Sequence, residues 1–290
     1  MKLKPTKTTL LYIAYIIGIT LFFLWYLFPS DTLKDYLAYR LSQGNPAVAV
    51  TIDRISTALP PGIRLHGVDI AHRNMTVMEV ESLKLIPRLA SIFSDTPAVN
   101  FKGRVYDGTV SGRAEISDPT GNGTKIEGNI AGVQVEQISA LQQFSDHDIA
   151  GRLGGNFVLA AGKGNPELTG KFTISACRLD LATALFNQTS FEFNNVAADL
   201  ALRNRSLVIN EFNATGSQLD LKINGQIRLN RRNAAKNELN LTGNVTPHHV
   251  FLAKIEKDIP VSLLRNKKSG KRAISFKIRG TLEDPGFSLN

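Results

Sequence analysis

Residues 219–230 read LDLKINGQIRLN, and their alternation decides the fold class. Leu219, Leu221, Ile223, Gly225, Ile227 and Leu229 fall on one face, while Asp220, Lys222, Asn224, Gln226, Arg228 and Asn230 fall on the other. Successive side chains of a strand point to opposite sides, so this pattern predicts a sheet with one apolar and one wet face. ELNLTGNV and AISFKIRGTL, further along the chain, alternate in the same way. From Ala47 onward a period of two dominates and helical periodicity is confined to short stretches.

Inside these strands a motif recurs, apolar-x-Gly-x-apolar, with the glycine on the apolar side. It occurs around Gly112, Gly128, Gly155, Gly170, Gly225, Gly243 and Gly280. The irregular spacing argues against a solenoid of fixed period. Glycine within a strand offers nothing to pack and marks a bend, a bulge or the close approach of another group. Repeated on one face, it would let the sheet curl around something. The candidate apolar groove is therefore Val110, Gly112, Gly155, Phe157, Gly170, Phe172, Ile223, Gly225, Ile227, Leu229 and Gly280. Breaks of phase at Asn194–Asn195 and near Cys177 predict bulges or turns. Short helices are expected over residues 87–93 and over 135–144, where Val135, Ile138 and Leu141 share a side. A third is expected from Thr246–Pro247, because proline fits a first helical turn.

The N-terminus differs. Residues 10–28, LLYIAYIIGITLFFLWYLF, carry no charge over about 19 positions, enough for a helix to cross a hydrocarbon core ~30 Å thick. Lys2, Lys4 and Lys7 precede this run, whereas Asp31, Lys34, Asp35 and Arg40 cancel after it. The positive-inside rule then leaves the N-terminus in the cytoplasm and the bulk across the membrane. Trp25 and Tyr26 stand near the exit. A cleaved signal peptide would have a shorter apolar region and a small-x-small site, which FPSDTL does not supply. Next, Asp31 is placed to cap a short helix, TLKDYLAYRL, with Leu33, Tyr36, Leu37 and Leu41 on one face. The expected organisation is a basic tail at 1–9, a transmembrane helix at 10–28, a juxtamembrane helix and linker at 29–45, and a β domain at 46–290.

Composition narrows the function. At 290 residues and 43% hydrophobic, the chain is of folded rather than disordered type. The single cysteine, Cys177, excludes an intramolecular disulfide. No catalytic constellation emerges. His66, His72, His147, His248 and His249 form no His-x-His or His-x-x-x-His pair, and adjacent positions on a helix do not share a face. Glu79 and Glu81 share a strand face, which reads first as a solvated one. No Gly-x-Ser-x-Gly elbow, P-loop or dinucleotide fingerprint is present. The expectation is a protein that is not an enzyme and takes no cofactor or metal. The net charge of +9 is concentrated near the C-terminal end, in Lys267, Lys268, Lys271, Arg272, Lys277 and Arg279. Without interleaved aromatics or a reading helix this is a candidate patch for anionic headgroups rather than for nucleic acid.

Several stretches together resemble the type II secretion system protein GspN family of bacteria with a two-membrane envelope. They are Phe28–Pro29, Leu33-Lys34-Asp35-Tyr36-Leu37, Arg54–Ile55, Leu59-Pro60-Pro61-Gly62-Ile63-Arg64-Leu65 and Val68-Asp69-Ile70. Tyr106-Asp107-Gly108-Thr109-Val110-Ser111-Gly112 and Ile278-Arg279-Gly280-Thr281-Leu282-Glu283-Asp284-Pro285 complete the set. The same features are similar to the wider AsmA-like group, in which an apolar N-terminal span leads into a long curved sheet of Gly-punctuated strands forming a groove for lipid chains. The resemblance implies a mainly β protein with few short helices after one transmembrane helix, held in the bacterial inner membrane with its bulk in the periplasm. Its partners would be the membrane and either other secretion subunits, in a scaffold role, or phospholipid, in a transfer role. An inert spacer is the third reading. Alkaline phosphatase fused after Asn290 should be active in cells, and activity of a cytoplasmic reporter there instead would reverse the topology.

Overall fold

The computed structural model describes all residues other than 1–6, 27–28, 44–47, 59–61, 73–74, 92–93, 95, 118–122, 140, 142–146, 163–164, 186–187, 231, 250, 253–272 and 290. Helix α1 covers Lys7–Tyr26 and helix α2 covers Ser30–Gln43. The strands that follow are β1 (Val48–Ala58), β2 (Gly62–His72), β3 (Met75–Pro87), β4 (Ala98–Val105), β5 (Gly108–Ile116), β6 (Thr124–Gln134) and β7 (Asp148–Ala161). They continue as β8 (Glu167–Leu185), β9 (Gln188–Arg203), β10 (Ser206–Gly216), β11 (Leu219–Arg228), β12 (Glu238–Pro247), β13 (Ile274–Thr281) and β14 (Pro285–Leu289).

All 14 strands form one sheet in sequence order, each antiparallel to its neighbours. Close approach between strand backbones is essentially confined to neighbours, so the sheet is a single open layer with β1 and β14 at its edges. The mainly β expectation therefore holds. The turns follow local chemistry. At Tyr106–Asp107 φ is 47° and 60°, and at Asn204–Arg205 it is 48° and 63°. Two successive positive φ values make the two-residue hairpin turn that matches strand twist. The expected phase breaks are bulges: Ala176, at φ 50°, and Cys177 of β8 stand against the single residue Gly151 of β7, between the pairs Ala150–Arg178 and Arg152–Ser175, and Asn194 is the extra residue of β9 against β10, between the pairs Thr215–Asn195 and Gly216–Phe193.

Two packed clusters hold the sheet. In the first, Ile52, Ile55, Leu65, Val68 and Val80 pack with Val105, Tyr106 and Val133. Leu33 and Leu37 of α2 lie on this cluster, while Tyr36 and Tyr39 of the same helix are exposed. The second cluster joins Cys177, Phe191, Phe193, Val196 and Ala214 to Phe251 and Leu252 of the connection after β12. Phe251 meets Phe191 edge to face, with ring centroids 5.8 Å apart. Burying side chains of this size stabilises by about 1.5–3 kcal/mol each. His248 starts this connection. Its Nε2 lies 3.2 Å from Asp220 Oδ2 and its backbone N–H donates to Gln218 O.

The helix expectations need correction. Pro87 ends β3, and only Leu89–Ser91 turns as a 3-10 helix. Val135–Gln137 is likewise a 3-10 turn, followed by helical Ser139 and Leu141, with 142–144 outside the described residues. Pro247 closes β12 opposite Leu219, a strand end where its missing N–H does not break the ladder, and the expected helical stretch begins just after it: His249, Phe251 and Leu252 are helical and Leu252 N–H donates to His248 O, while 250 and 253–256 lie outside the described residues. Asp31 lies inside the first turn of α2 rather than at its cap. Helix α1 exposes Leu11, Tyr12, Ile13, Tyr15, Ile16, Phe22 and Phe23, which spread over rather more than half of its circumference. Counted on the described residues, no helix is long and apolar enough to cross a membrane. The side chains at 10, 14, 17, 21 and 24–28 lie outside that count.

Gly225 has φ +137°, and a Cβ there would collide with the Asn240 carbonyl oxygen of β12. Gly225→Ala should therefore lower unfolding stability by about 1–3 kcal/mol, read from the denaturant midpoint. A midpoint equal to the wild-type value would refute the β11–β12 register.

Candidate functional site

The register aligns the apolar face into rows that run across the strands. The outermost passes through Ala114, Ile126, Leu159, Leu168, Leu202, Leu207, Ile227 and Leu239. The next runs Phe101, Gly112, Gly128, Phe157, Gly170, Leu200, Ile209, Gly225 and Leu241. The third runs Val110, Ile130, Gly155, Phe172, Ala198, Phe212, Ile223 and Gly243. A fourth, Val133, Leu153, Ile174, Val196, Ala214 and Leu221, leads into the packed clusters.

Burial changes from row to row and along each row. In the fourth, Val133, Val196 and Ala214 are buried. In the outer three, from β5 to β11, the side chains are half-buried; Val110, Ile130 and Phe212 of the third row still touch the packed clusters, whereas among the described residues no side chain of the first two rows belongs to either cluster. Cover returns at β12 and β13, where Leu239, Leu241 and Phe276 are buried. The opposite face is wet. Lys222, Asn224, Gln226 and Arg228 are exposed, and Lys171–Asp199 and Arg228–Glu238 pair across it at 3.8 and 3.5 Å. Exposed pairs of this kind contribute little stability. The half-buried strip spans the strands from β5 to β11, about 29 Å at the usual strand spacing. With three rows it is on the order of 500 Å², at the upper end for an exposed apolar patch and in the range that marks interaction sites.

The sequence-predicted groove residues converge here. Val110, Gly155, Phe172 and Ile223 sit in the third row, and Gly112, Phe157, Gly170 and Gly225 in the second. Ile227 is in the outer row, Gly280 pairs with Leu239 at the far end of that row, and Leu229 continues the alternation one residue past β11. The role of the glycines differs from the expected one. Several stand directly across from an aromatic ring: Gly112 from Phe101, Gly128 and Gly170 from Phe157, Gly243 from Phe276. A Cβ at Gly128 or Gly243 would fall inside the facing ring. These glycines hold neighbouring rings flat on the sheet, so the face is smooth rather than notched.

Of the basic cluster, Lys277 and Arg279 lie on the polar side of β13, across from Thr242 and Asn240. Lys267, Lys268, Lys271 and Arg272 lie outside the described residues. No group of three His, Cys, Asp or Glu that could hold a metal ion forms among the described residues. The Tyr106 hydroxyl accepts the Glu79 N–H at 3.0 Å, and burial raises its pKa. Comparison with protein-family models, curated proteins and solved structures gives no match, so the secretion-family resemblance rests on the sequence motifs alone.

Cys177 is 6% exposed, and burial pushes its thiol above the ordinary value. Both effects withhold thiolate, so at pH 8 it should react with a maleimide at least about tenfold more slowly in the native protein than after unfolding. In the same protein a Leu207→Cys thiol on the outer row should label quickly. Protection of that thiol equal to that of Cys177 would show that the face is covered.

Proposed function

We propose that this protein is a membrane-anchored, non-enzymatic binder of apolar chains, and that it holds acyl chains of phospholipid on the exposed face of its sheet. The observation that carries the reading is the apolar face over the seven consecutive strands β5 to β11, where the side chains of the two outermost rows are half-buried and among the described residues belong to neither packed cluster. Leaving such a strip to water is costly at about 25 cal/mol per Å². Lipid chains remove that cost without demanding a shaped polar partner. A sheet this long would curl to shelter them, as the AsmA-like resemblance implies.

The anchor belongs to the same proposal. Residues 10–28 are uncharged throughout, and α1 is apolar on every side, the pattern of a helix solvated by lipid. The cytoplasmic Lys2, Lys4 and Lys7 orient it, and the sheet then stands in the periplasm of a two-membrane cell.

A second reading, a scaffold component of a type II secretion system, draws on the free edges. Strand β14 is exposed along its whole length, and an unpaired edge accepts a strand from another protein. One experiment separates the two. A photo-crosslinking residue placed at Leu207, on the apolar face, should capture phospholipid in cells grown with labelled phosphate. The same residue at Gln226, on the wet face, should not. Crosslinks from Leu207 to protein alone would remove the lipid reading and favour the scaffold.

A further inference from the structure

The open rim of the apolar face carries a second feature, which no sequence motif marked. Between the β9–β10 turn and the β11–β12 connection lies a concavity of about 650 Å³. Its wall includes Arg205, Arg228, Arg232 and Lys236, against one acid, Glu238. Arg228 is engaged with Glu238 at 3.5 Å. Among the described residues no acid pairs with Arg205, Arg232 or Lys236. The backbone that presents these cations is fixed. Leu229 N–H donates to Arg205 O at 2.8 Å, joining turn to strand. Asn230 Oδ1 accepts from the Arg232 and Asn233 N–H groups at 2.9 and 3.2 Å, and Asn237 Oδ1 accepts from Asn230 N–H at 2.8 Å. Asn237, the clasp of the connection, is 9% exposed. Glu283 and Asp284 follow β13 beside this connection, where Glu283 N–H donates to Ala235 O, and neither pairs with these cations.

Three uncompensated cations on a hydrogen-bonded frame suit a phosphate group, whose oxygens accept charge-assisted hydrogen bonds from several donors at once. Leu229 lines the same concavity and continues the apolar alternation from Ile227. We propose that this concavity binds a phosphate oxyanion and takes the headgroup of an anionic amphiphile whose chains lie on the outer apolar rows. The anion site stands on the cation cluster alone, and its assignment to a lipid headgroup rests on the acyl-chain reading above.

The test uses the full chain in phosphatidylcholine nanodiscs, titrated calorimetrically against empty discs. The probes are dihexanoyl phosphatidylglycerol, dihexanoyl phosphatidylcholine and inorganic phosphate. The variant is Arg205→Gly/Arg232→Ala/Lys236→Ala. Glycine suits the φ of 63° at Arg205, so the change removes charge without straining the turn. A control, Lys102→Ala/Arg113→Ala/Lys171→Ala, removes the same formal charge from exposed strand positions elsewhere. Both variants are first required to show the wild-type circular dichroism spectrum and melting midpoint. The expected result is phosphatidylglycerol binding that weakens at least about tenfold in the rim variant and not in the control, as loss of a single charge-assisted hydrogen bond would give. Phosphatidylcholine binding, weaker at the start, should be the same in both. Phosphate binding that is lost in the rim variant without a phosphatidylglycerol preference supports the anion site and assigns it to a free anion. Equal affinity for the two lipids, unchanged in the rim variant, with no phosphate binding, overturns the anion site and leaves the acyl-chain reading standing. Binding of phosphate alone overturns the acyl-chain reading and not the site. Binding of none of the three overturns both.

Discussion

Each strand pairs only with the strands before and after it in sequence, and the rest of the molecule follows from that constraint. Antiparallel hairpins need only short turns, so the chain extends the sheet sideways at every step and never returns across it. A sheet made in this way is one layer. Its polar side is satisfied by water, but among the described residues no second sheet covers its apolar side. Proteins built from sandwiches or barrels meet this need by folding the sheet back on itself. Here two short elements do part of the work, α2 at the β1 edge and the Phe251–Leu252 segment over β8–β10, and the remaining strip stays open.

The glycines belong to the same economy of packing. An exposed apolar face gains most from side chains that cover one another, and the cross-strand neighbours of Gly112, Gly128, Gly170 and Gly243 are phenylalanines. At Gly112, Gly128 and Gly243 the facing ring spreads over the place where a Cβ would stand, and at Gly170 the ring of Phe172 on the same strand does so, which saves apolar area without a covering layer. Gly225 is different. Its backbone conformation and the approach of the Asn240 carbonyl both exclude a side chain, so a bulky substitution would press on β12 instead of projecting over the face. The recurrence of apolar-x-Gly-x-apolar thus records how a single-layer sheet packs against itself, and only secondarily how it meets a ligand.

Much of this was legible in the sequence because a period of two is a strong local signal. The alternation at 219–230 placed Ile223 and Ile227 on one side and Lys222 and Arg228 on the other, as found. The phase breaks at Asn194 and beside Cys177 marked real bulges, against β10 and β7 respectively, since one extra residue inverts every later side chain. Proline blurred two boundaries: Pro87 ends a strand, and Pro247 closes β12 with the helical turn starting just beyond it at His249, because its fixed φ fits a helix start and a strand end alike. The cations of the rim were not legible. Arg205 and Lys236 lie in different hairpin connections, and only the ladder shows that those connections stand side by side.

The alternation of turns gives the sheet a direction that its composition does not reveal. Turns at one end of the strands, Tyr106–Asp107 and 217–218, adjoin the packed clusters, and His248 and Phe251 close the sheet there. Turns at the other end, Asn204–Arg205 and 229–237, adjoin the half-buried outer row and carry Arg205, Arg232 and Lys236, which have no acidic partner among the described residues. An amphiphile approaching the face therefore meets two different ends. The described part of the closed end offers buried side chains, so a charged headgroup pressed among them would lose its water without compensation. The rim offers water, apolar surface and guanidinium groups together. Under the proposed function, chains enter at the rim and point toward the closed end with the headgroup left outside. That orientation needs no moving part, because it follows from which ends of the strands the chain's own helices happen to cover.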